Sequence, residues 1–182
     1  DRVKDDLMVA VERWVANPPP VAFDACPCDE DAEVPPASPE VVEEALEVLR
    51  QWDNTVSADA RGAVLFEAWY LRHGRDVGFD EVFAEAWTAE RALETPVGLA
   101  QPAAAADAFA LAINDVKSAW GAVDVAWGEV HRVRIGDVDV PVGGCTGSYG
   151  CFRVLWFDED EDGRRRVRGG DGWVLFVEFA DQ

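Results

Sequence analysis

The sequence is poor in positive charge, in histidine, in cysteine and in long apolar runs. Its 182 residues contain 16 Lys+Arg against 36 Asp+Glu, for a net charge of −20, and only 2 His and 4 Cys. Because affinity for nucleic-acid phosphates comes chiefly from Lys and Arg, this balance argues against nucleic-acid binding. No run approaches the roughly 20 apolar residues of a membrane-spanning helix, so no membrane span is predicted.

Apolar residues as a class are plentiful. They make up 49% of the chain and include 8 Trp and 9 Phe. Burying this content offsets the loss of chain entropy, which argues against a disordered chain. The length suits one domain or a piece of a larger protein. Helical spacing begins already at Val3, and the sequence stops shortly after an apolar strand pattern, so we expect a fragment.

The first 125 residues carry helical patterns. Apolar residues spaced by three and four predict helices from about Val3 to Trp14, from Pro39 to about Trp52, from Asp59 to Gly74 and from Pro102 to Gly121. Ser38 and Asp59 are the predicted N-caps, and Gly74 is the predicted end of the third helix. A further segment opened by Asp80, which would make a fifth helix, is expected to turn inward Val82, Phe83, Ala86, Trp87 and Leu93.

Beyond Trp127 the apolar pattern changes from helical to alternating. Valines and Ile135 alternate with charged residues on both sides of the pair Gly136-Asp137, which predicts a β-hairpin. Further strands are predicted over residues 151–157 and 172–179, joined by an acidic and then basic connection. Helices followed by antiparallel strands predict an α+β fold, with a helical portion over residues 1–125 and a β-strand portion over residues 126–182.

Histidines that could activate a nucleophile are scarce. A nucleophilic Ser or Cys needs a base within hydrogen-bond reach, and the chain offers only His73 and His131. His73 lies beside the predicted end of the third helix, and His131 lies on the predicted hairpin. The sequence places no partner beside either one, so a structural or solvent-facing role is favoured for both.

The four cysteines are candidates for disulfide bonds. One residue separates Cys26 from Cys28 and five separate Cys145 from Cys151, whereas paired zinc ligands prefer about two to four intervening residues. Two connections stay open: bonds within each pair, or bonds that cross between the pairs. Four reduced thiols are the remaining alternative. Disulfides would suit an oxidising compartment.

One acidic run has half of a calcium-loop pattern. Asp158, Asp160 and Asp162 precede a glycine at the spacing with which alternate side chains converge on one ion. The second half fails, because Gly169 stands where a bidentate Glu is needed and three consecutive arginines fill the loop. We therefore favour an exposed strand connection whose acids and arginines pair locally, and keep calcium as the weaker candidate.

Several segments occur in the order typical of one enzyme family. The more specific pieces are the pair Trp52-Asp53 and the run Trp127-Gly128-Glu129-Val130. The matching segments are VVEEALEVLRQWDNTVSADARGAVLFEAWY (41–70), TPVGL (95–99), AWGEVHRVRIGDVDVPVGG (126–144) and RGGDGWVLFVEF (168–179). The chain resembles the C-terminal part of the β-subunit region of the penicillin acylase family, nearest the acyl-homoserine-lactone and aculeacin acylase branch.

The resemblance implies part of an αββα N-terminal nucleophile hydrolase fold, with two stacked sheets between helical layers. In that family a serine freed at the start of the β-subunit attacks an amide, and its own α-amine acts as the base. Nothing in this chain matches that serine or its neighbours. Gly147-Ser148 is followed by Tyr149, whereas the family's processing junction typically has Asn there. The resemblance therefore implies that no catalytic residue lies in this chain.

The remaining expectations also follow from the resemblance. It implies a scaffold portion that is inactive alone and whose partners are the α-subunit, the N-terminal part of the β-subunit and a small-molecule amide. It implies no cofactor, with any calcium bound elsewhere in the complete enzyme, a periplasmic or secreted location, and a role in antibiotic biosynthesis or degradation or in quorum quenching. The alternative is a stand-alone acidic α+β interaction domain without enzymatic activity.

Overall fold

Helices fill the first part of the chain and short strands the second. The computed structural model describes residues 3–19, 35–172 and 177–178. These residues divide into two compact units, the first running to Asn54 and from Arg61 to Val125, the second formed by Thr55–Ala60 and the residues from Ala126 onward. The element order is that of a mixed α+β protein, which confirms the predicted fold class.

Four helices build the first unit. They are α1 (Lys4–Ala16), α2 (Pro39–Gln51), α3 (Ala63–Val77) and α4 (Pro102–Trp120). Helix α3 packs on α4, and α1 packs on both α2 and α4. The apolar stripes predicted from helical spacing form the core, which includes Leu7, Val11, Val42, Leu46, Leu49, Phe109 and Ile113. Among the described residues, no helix combines the length and apolarity that crossing a membrane requires.

The N-terminus of α3 differs from the prediction. Asp59 does not cap the helix, because its carboxylate accepts a hydrogen bond from the Ser57 hydroxyl at 2.7 Å. The N-cap is Gly62, whose φ of 96° favours glycine. A Cβ on Gly62 would also lie 2.8 Å from the Trp52 Cβ, so the residue must be small where the chain enters α3.

The C-terminus of α3 lies one turn beyond the predicted end. The helix continues through Gly74 to Val77 and ends at Gly78, which has a φ of 93°. Gly74 is covered by the ring of Phe79, which a Cβ at that position would strike. Glycine is therefore required at position 74 for close packing rather than for ending the helix.

The fifth helix predicted from Asp80 is absent. A 3₁₀ turn at Phe79–Glu81 leads into β1 (Phe83–Glu85), which pairs antiparallel with β2 (Val97–Leu99). Val82 is buried as predicted and Phe83 is half-buried, but Ala86, Trp87 and Leu93 are exposed.

Local hydrogen bonds explain why a helix does not form there. The buried Thr95 hydroxyl accepts the Thr88 N–H and donates to Arg91 O, both at 2.9 Å. The Arg91 N–H in turn donates to the Thr88 hydroxyl at 3.3 Å. Threonine hydroxyls thus satisfy backbone groups that a helix would otherwise pair, which is how such side chains compete with helix formation.

The second unit contains a four-stranded sheet and a one-turn helix. The elements are α5 (Trp127–Val130), β3 (His131–Ile135), β4 (Val138–Pro141), β5 (Leu155–Glu159) and β6 (Arg165–Gly170). The strand order is β4-β3-β6-β5. The predicted hairpin is confirmed as β3 and β4, joined at Gly136 with a φ of 56°. Strands β3 and β6 run parallel, whereas the prediction was antiparallel throughout.

The later strands are shifted from their predicted places. Strand β5 begins at Leu155 rather than at residue 151, and β6 occupies the segment predicted to be a connection. Most of the predicted strand 172–179 lies outside the described residues. Strand β6 lacks the apolar alternation by which strands are recognised in a sequence. Its pairing instead places arginines opposite carboxylates, with Arg166 opposite Asp158 and Arg165 opposite Glu159. Opposite charges across neighbouring strands stabilise such pairing.

A buried lysine joins the first two helices. Lys4 is 6% exposed, and its Nζ donates to Trp52 O at 2.8 Å and to Leu49 O at 3.4 Å. The same Nζ lies 5.4 Å from the centre of a Trp52 ring. Lys4 therefore supplies donors to carbonyl groups at the C-terminus of α2, where the helix has no partners of its own.

We expect Lys4→Met to lower the free energy of unfolding of the first unit by about 1.5–3 kcal/mol, the usual worth of hydrogen bonds to a charged group. Urea unfolding followed by far-UV circular dichroism measures the change. The matched control is Lys117→Met, because Lys117 is exposed in the last turn of α4. Equal midpoints for the two variants would contradict the role given to Lys4.

Candidate functional site

A group of charged side chains gathers around Arg134 on the sheet. Its guanidinium donates to Asp160 at 3.0 Å and to the two oxygens of Asp162 at 3.0 and 2.9 Å. It also pairs with Asp139 across the hairpin at 3.2 Å. Strand β3 places Arg134 where the 160–163 turn folds back, so one cation holds carboxylates from two separate segments.

Further arginines complete this group. Arg164 pairs with Asp162 at 2.9 Å, and Arg166 donates to Asp160 at 3.1 Å. Arg132 pairs with Asp139 on the same hairpin. All three aspartates of the half calcium pattern therefore lie near arginines. Asp160 and Asp162 are hydrogen-bonded to them, and Asp158 lies 3.7 Å from a nitrogen of Arg168. The described residues contain no group of three or more His, Cys, Asp or Glu side chains arranged to hold a metal ion.

Hydrogen bonding in this group shifts its protonation equilibria. The bonds from Arg134 hold the pKa of Asp162 far below its usual range, and the Arg164 backbone and side chain add to the effect. Arg132 and Arg134 lower the pKa of Asp139 in the same way. The carboxylates raise the pKa of Arg134 in return. Asp139 and Asp162 therefore stay ionised at neutral pH, which suits a structural network rather than proton transfer.

His131 lies in an aromatic cluster of the second unit. Its ring stacks on Trp127 with centres 3.5 Å apart and meets the edge of Phe157 at 4.7 Å. His131 Nδ1 lies 3.2 Å from Trp127 O, and the residue is fully buried. Burial, together with the charge of Arg165, lowers the pKa of His131 to about 3, against an opposing effect of the Trp127 backbone. A neutral and inaccessible ring cannot serve a substrate that arrives from solvent.

His73 is also buried, in the first unit. Its ring stacks on Trp69 with centres 5.7 Å apart, and neither ring nitrogen has a hydrogen-bond partner among the described residues. Burial lowers its pKa, against an opposing effect of Asp76. The sequence favoured a structural or solvent-facing role for both histidines. The structure places both in the interior, because α3 extends past Gly74 and keeps His73 within the helix.

A disulfide closes the loop that contains Ser148. Cys145 and Cys151 are bonded, with Cα atoms 5.5 Å apart, which is the connection within this pair rather than across pairs. Cys26 and Cys28 lie outside the described residues. The Ser148 hydroxyl lies 2.8 Å from the Thr146 hydroxyl, in a 3₁₀ turn over Gly147–Tyr149. Within this loop, the partner of the Ser148 hydroxyl is therefore another hydroxyl and not a general base.

The first unit contains an open cavity of about 400 Å³ between the end of α1 and the start of α4. Its lining includes Arg13, Trp14 and Pro102. Trp14 Nε1 donates to Asp107 at 2.8 Å, which fixes one wall. The lining is mainly apolar, and the carboxylate of Asp107 in it is already bound to Trp14.

Sequence reasoning did not reveal how Arg134 and Trp127 organise these surroundings, although Trp127 belongs to one of the motifs that carry the resemblance. Arg134 alternates with valines on a hairpin whose opposite strand carries Asp139, and that cross-strand pairing was a usable signal. The link from Arg134 to Asp160 and Asp162 spans 26 and 28 residues. It depends on the parallel pairing of β3 with β6, which the strand pattern did not reveal.

We expect Arg134→Gln to lower the urea midpoint of the second unit at neutral pH, because it leaves Asp160 and Asp162 facing fewer cations. Both carboxylates keep a second arginine, so the unit should still fold. The pKa of Asp162 is depressed in the folded state, so its stabilising effect is present above the ordinary Asp pKa and is lost as pH falls towards the folded value.

The difference between wild type and Arg134→Gln should therefore shrink below about pH 4. The matched control is Arg153→Gln, since Arg153 is exposed outside this group. Equal loss from the two substitutions at neutral pH would show that the network adds nothing beyond one surface charge.

We expect His131 to make the second unit less stable as pH falls from about 6.5 towards 3. The unfolded chain binds a proton in this range that the folded protein, with its His131 pKa of about 3, does not bind. The loss approaches about 1.4 kcal/mol per pH unit. His131→Phe should remove that part of the slope, measured by urea unfolding between about pH 7 and 5.

Phe157→Leu is the control for this prediction. It disturbs the same aromatic cluster but removes no titrating group, so its pH slope should equal that of wild type. A wild-type slope retained in His131→Phe would contradict the prediction.

Comparison with known families assigns the chain. A family model for penicillin amidase matches residues 4–182 and so covers both units. The match spans the helices of the first unit and the sheet that Arg134 and Trp127 organise. The resemblance predicted from the sequence is thereby confirmed at the level of the family. This chain belongs to the penicillin amidase family, and its fold is an amidohydrolase-related scaffold.

Proposed function

We propose that this chain is the scaffold portion of an acylase that hydrolyses the amide between an acyl chain and a polar head group. The observation that carries the proposal is the family match over residues 4–182. The proposed nucleophile is a serine in a segment outside these 182 residues, at the start of the β-subunit. The helical residues 1–125 and the strand residues 126–182 are then two parts of that subunit.

The proposed reaction is hydrolysis through an acyl-enzyme. The serine hydroxyl attacks the amide carbonyl while its own α-amine accepts the proton through water, and that proton passes to the departing amine. Water then hydrolyses the ester to release the carboxylic acid and restore the serine. Backbone N–H groups and an Asn, also outside this chain, stabilise the oxyanion. No step of this scheme requires a cofactor.

The described residues support a structural role for this chain. Both histidines are fully buried, and the Ser148 hydroxyl is paired with Thr146. Arginines hold the carboxylates of Asp139 and Asp162 ionised. These groups stabilise the units, so the proposal gives them no step in amide hydrolysis.

The proposed substrate and location follow the same line. Within the family, the resemblance favours the acyl-homoserine-lactone and aculeacin acylase branch, so we propose N-acyl-homoserine lactones as the first substrates to test, with quorum quenching as the role. The disulfide between Cys145 and Cys151 supports a periplasmic or secreted enzyme, because such bonds persist in oxidising compartments. Its proposed partners are the α-subunit and the N-terminal part of the β-subunit.

Activity measurements on the chain and on the complete protein test this function. We expect the complete protein to release acid from an N-acyl-homoserine lactone or from penicillin G, and the 182-residue chain alone to release none. Replacing the serine that follows the processing-site glycine by alanine should abolish release. Ser148→Ala in the complete protein is the matched control and should retain wild-type activity.

Two results would contradict the proposal. Acid release by the 182-residue chain would place the nucleophile inside it. A complete protein that is processed and folded but inactive on both amides and on other acylated amines would favour the stand-alone interaction domain instead.

A further inference from the structure

Two aspartates of the second unit are followed directly by glycine, in the pairs Asp162-Gly163 and Asp171-Gly172. Such a pair can rearrange without an enzyme: the glycine nitrogen attacks the aspartate Cγ, one water leaves, and a five-membered succinimide forms. Water then opens the ring at either carbonyl, which restores aspartate or yields isoaspartate. The water lost is regained, so no other reactant is needed. Glycine favours the attack because it has no Cβ to hinder its nitrogen.

The attack has two requirements, and the fold controls both. The glycine N–H has to be released from its hydrogen bonds, so that the nitrogen can reach the aspartate Cγ. The carboxyl group has to be protonated, because its hydroxyl then leaves as water. Hydrogen bonds fix the position of the backbone nitrogen, and nearby charges set the protonation of the carboxyl group. The two Asp-Gly pairs can therefore be compared by their surroundings.

The surroundings of Asp162 oppose both requirements. The Gly163 N–H donates to Asp160 O at 2.9 Å, and the Asp160 N–H donates to Arg164 O at 2.7 Å, which closes the turn. The Asp162 oxygens accept bonds from Arg134 at 3.0 and 2.9 Å, and from the Arg164 side chain and N–H at 2.9 and 3.2 Å. These bonds hold the pKa of Asp162 far below its usual range, so the protonated carboxyl group is very rare at neutral pH.

The surroundings of Asp171 are more open. Among the described residues, its carboxylate accepts one hydrogen bond, from the Val154 N–H at 3.0 Å. Within the same part of the chain, the Gly172 N–H donates to no acceptor, and a Cβ built on Gly172 would meet no atom within 4 Å. Asp171 and Gly172 are both exposed. The Gly172 nitrogen is therefore not held away from the Asp171 Cγ, and water reaches the reacting groups.

We propose that Asp171 is a site of spontaneous isoaspartate formation in the folded protein, and that the hydrogen bonds around Arg134 protect Asp162 from the same modification. The arginine network then has a chemical role in addition to its contribution to stability. It preserves the backbone of a turn whose sequence is as reactive as that at Asp171. This inference does not depend on which amide the complete enzyme hydrolyses.

Isoaspartate at position 171 changes the contact between this residue and the start of β5. The Asp171 N–H donates to Val154 O at 2.8 Å, and the Asp171 carboxylate accepts the Val154 N–H. In isoaspartate the chain passes through the former side chain, which lengthens the backbone and moves the free carboxylate. The paired geometry with Val154 is then lost. Because Val154 also forms a β-bridge with Cys145, the change reaches the base of the disulfide loop.

Peptide mapping of aged protein tests the proposal. The folded protein, and the same protein in guanidinium chloride, are incubated at neutral pH for several weeks and then digested with trypsin. Trypsin releases Asp162 in the peptide 154–164 and Asp171 in a peptide that begins at Gly169. Isoaspartate in each separated peptide is measured with an isoaspartate methyltransferase and labelled S-adenosylmethionine.

We expect the folded protein to contain at least about tenfold more isoaspartate at Asp171 than at Asp162, because each unit by which a pKa is lowered makes the protonated form about tenfold rarer. In guanidinium chloride the two sites should convert to similar extents, since both are followed by glycine and neither retains its folded surroundings. The denatured protein is thus the control for the effect of local sequence.

Two variants test the sites separately. Arg134→Gln should raise isoaspartate at Asp162 several-fold and leave the amount at Asp171 unchanged. Arg75→Gln, which removes an exposed arginine of α3, is the matched control and should change neither site. Gly172→Ala should lower isoaspartate at Asp171 several-fold, because the added Cβ hinders the attacking nitrogen and the space around it is open.

Three results would overturn the proposal. The first is equal isoaspartate at the two sites of the folded protein, or none at Asp171. The second is an Asp162 that stays unmodified in guanidinium chloride, which would show that its sequence and not its fold is protective. The third is an equal rise at both sites in Arg134→Gln, which would indicate general unfolding instead of local protection. None of these results bears on amide hydrolysis, so the inference and the proposed function are tested separately.

Discussion

Trp127 is the residue through which the second unit is assembled. Its backbone N–H donates to Ala60 O at 2.9 Å, and its indole Nε1 donates to Gly144 O at 3.1 Å. Its ring lies under His131, the first residue of β3. Trp127, which is 1% exposed, thus contacts the Thr55–Ala60 segment through its backbone and the glycine-rich turn and the sheet through its side chain. Burying the rings of Trp127 and His131 costs free energy because both rings carry polar nitrogens. This cost is offset because the two rings stack on each other and each has a polar partner.

Scarce positive charge is used to connect separate elements. Arg50 of α2 pairs with Glu12 of α1, and Arg72 of α3 pairs with Asp115 of α4. Such exposed pairs are individually weak. The Arg134 group differs because several carboxylates share its arginines, and networks of this kind hold geometry better than isolated pairs. A strongly acidic chain therefore contains local regions of balanced charge.

How far the sequence predicts the structure depends on how local the signal is. The stripes of α1, α2 and α4 repeat every three or four residues, and their core positions were predictable. The 80–95 segment has apolar residues at the same spacing, yet Thr88 and Thr95 redirect its backbone. Three of the six residues of β6 are arginines, and this segment forms a strand because β5 and β3 lie on either side of it. Family membership could be predicted because it depends on the order of short motifs along the chain, whereas long-range contacts leave no such local pattern.

The strand order β4-β3-β6-β5 has a consequence for how the second unit forms. Strand β6 follows the other three in the chain but lies in the interior of the sheet, between β3 and β5. During synthesis, the β3–β4 hairpin can form as soon as it leaves the ribosome, but β5 has no neighbour until Arg165–Gly170 emerges. The sheet therefore closes late and through distant contacts, which slows folding and leaves strand edges open in the meantime. Charged edges, such as the arginines and carboxylates of these strands, protect the growing chain from pairing with others.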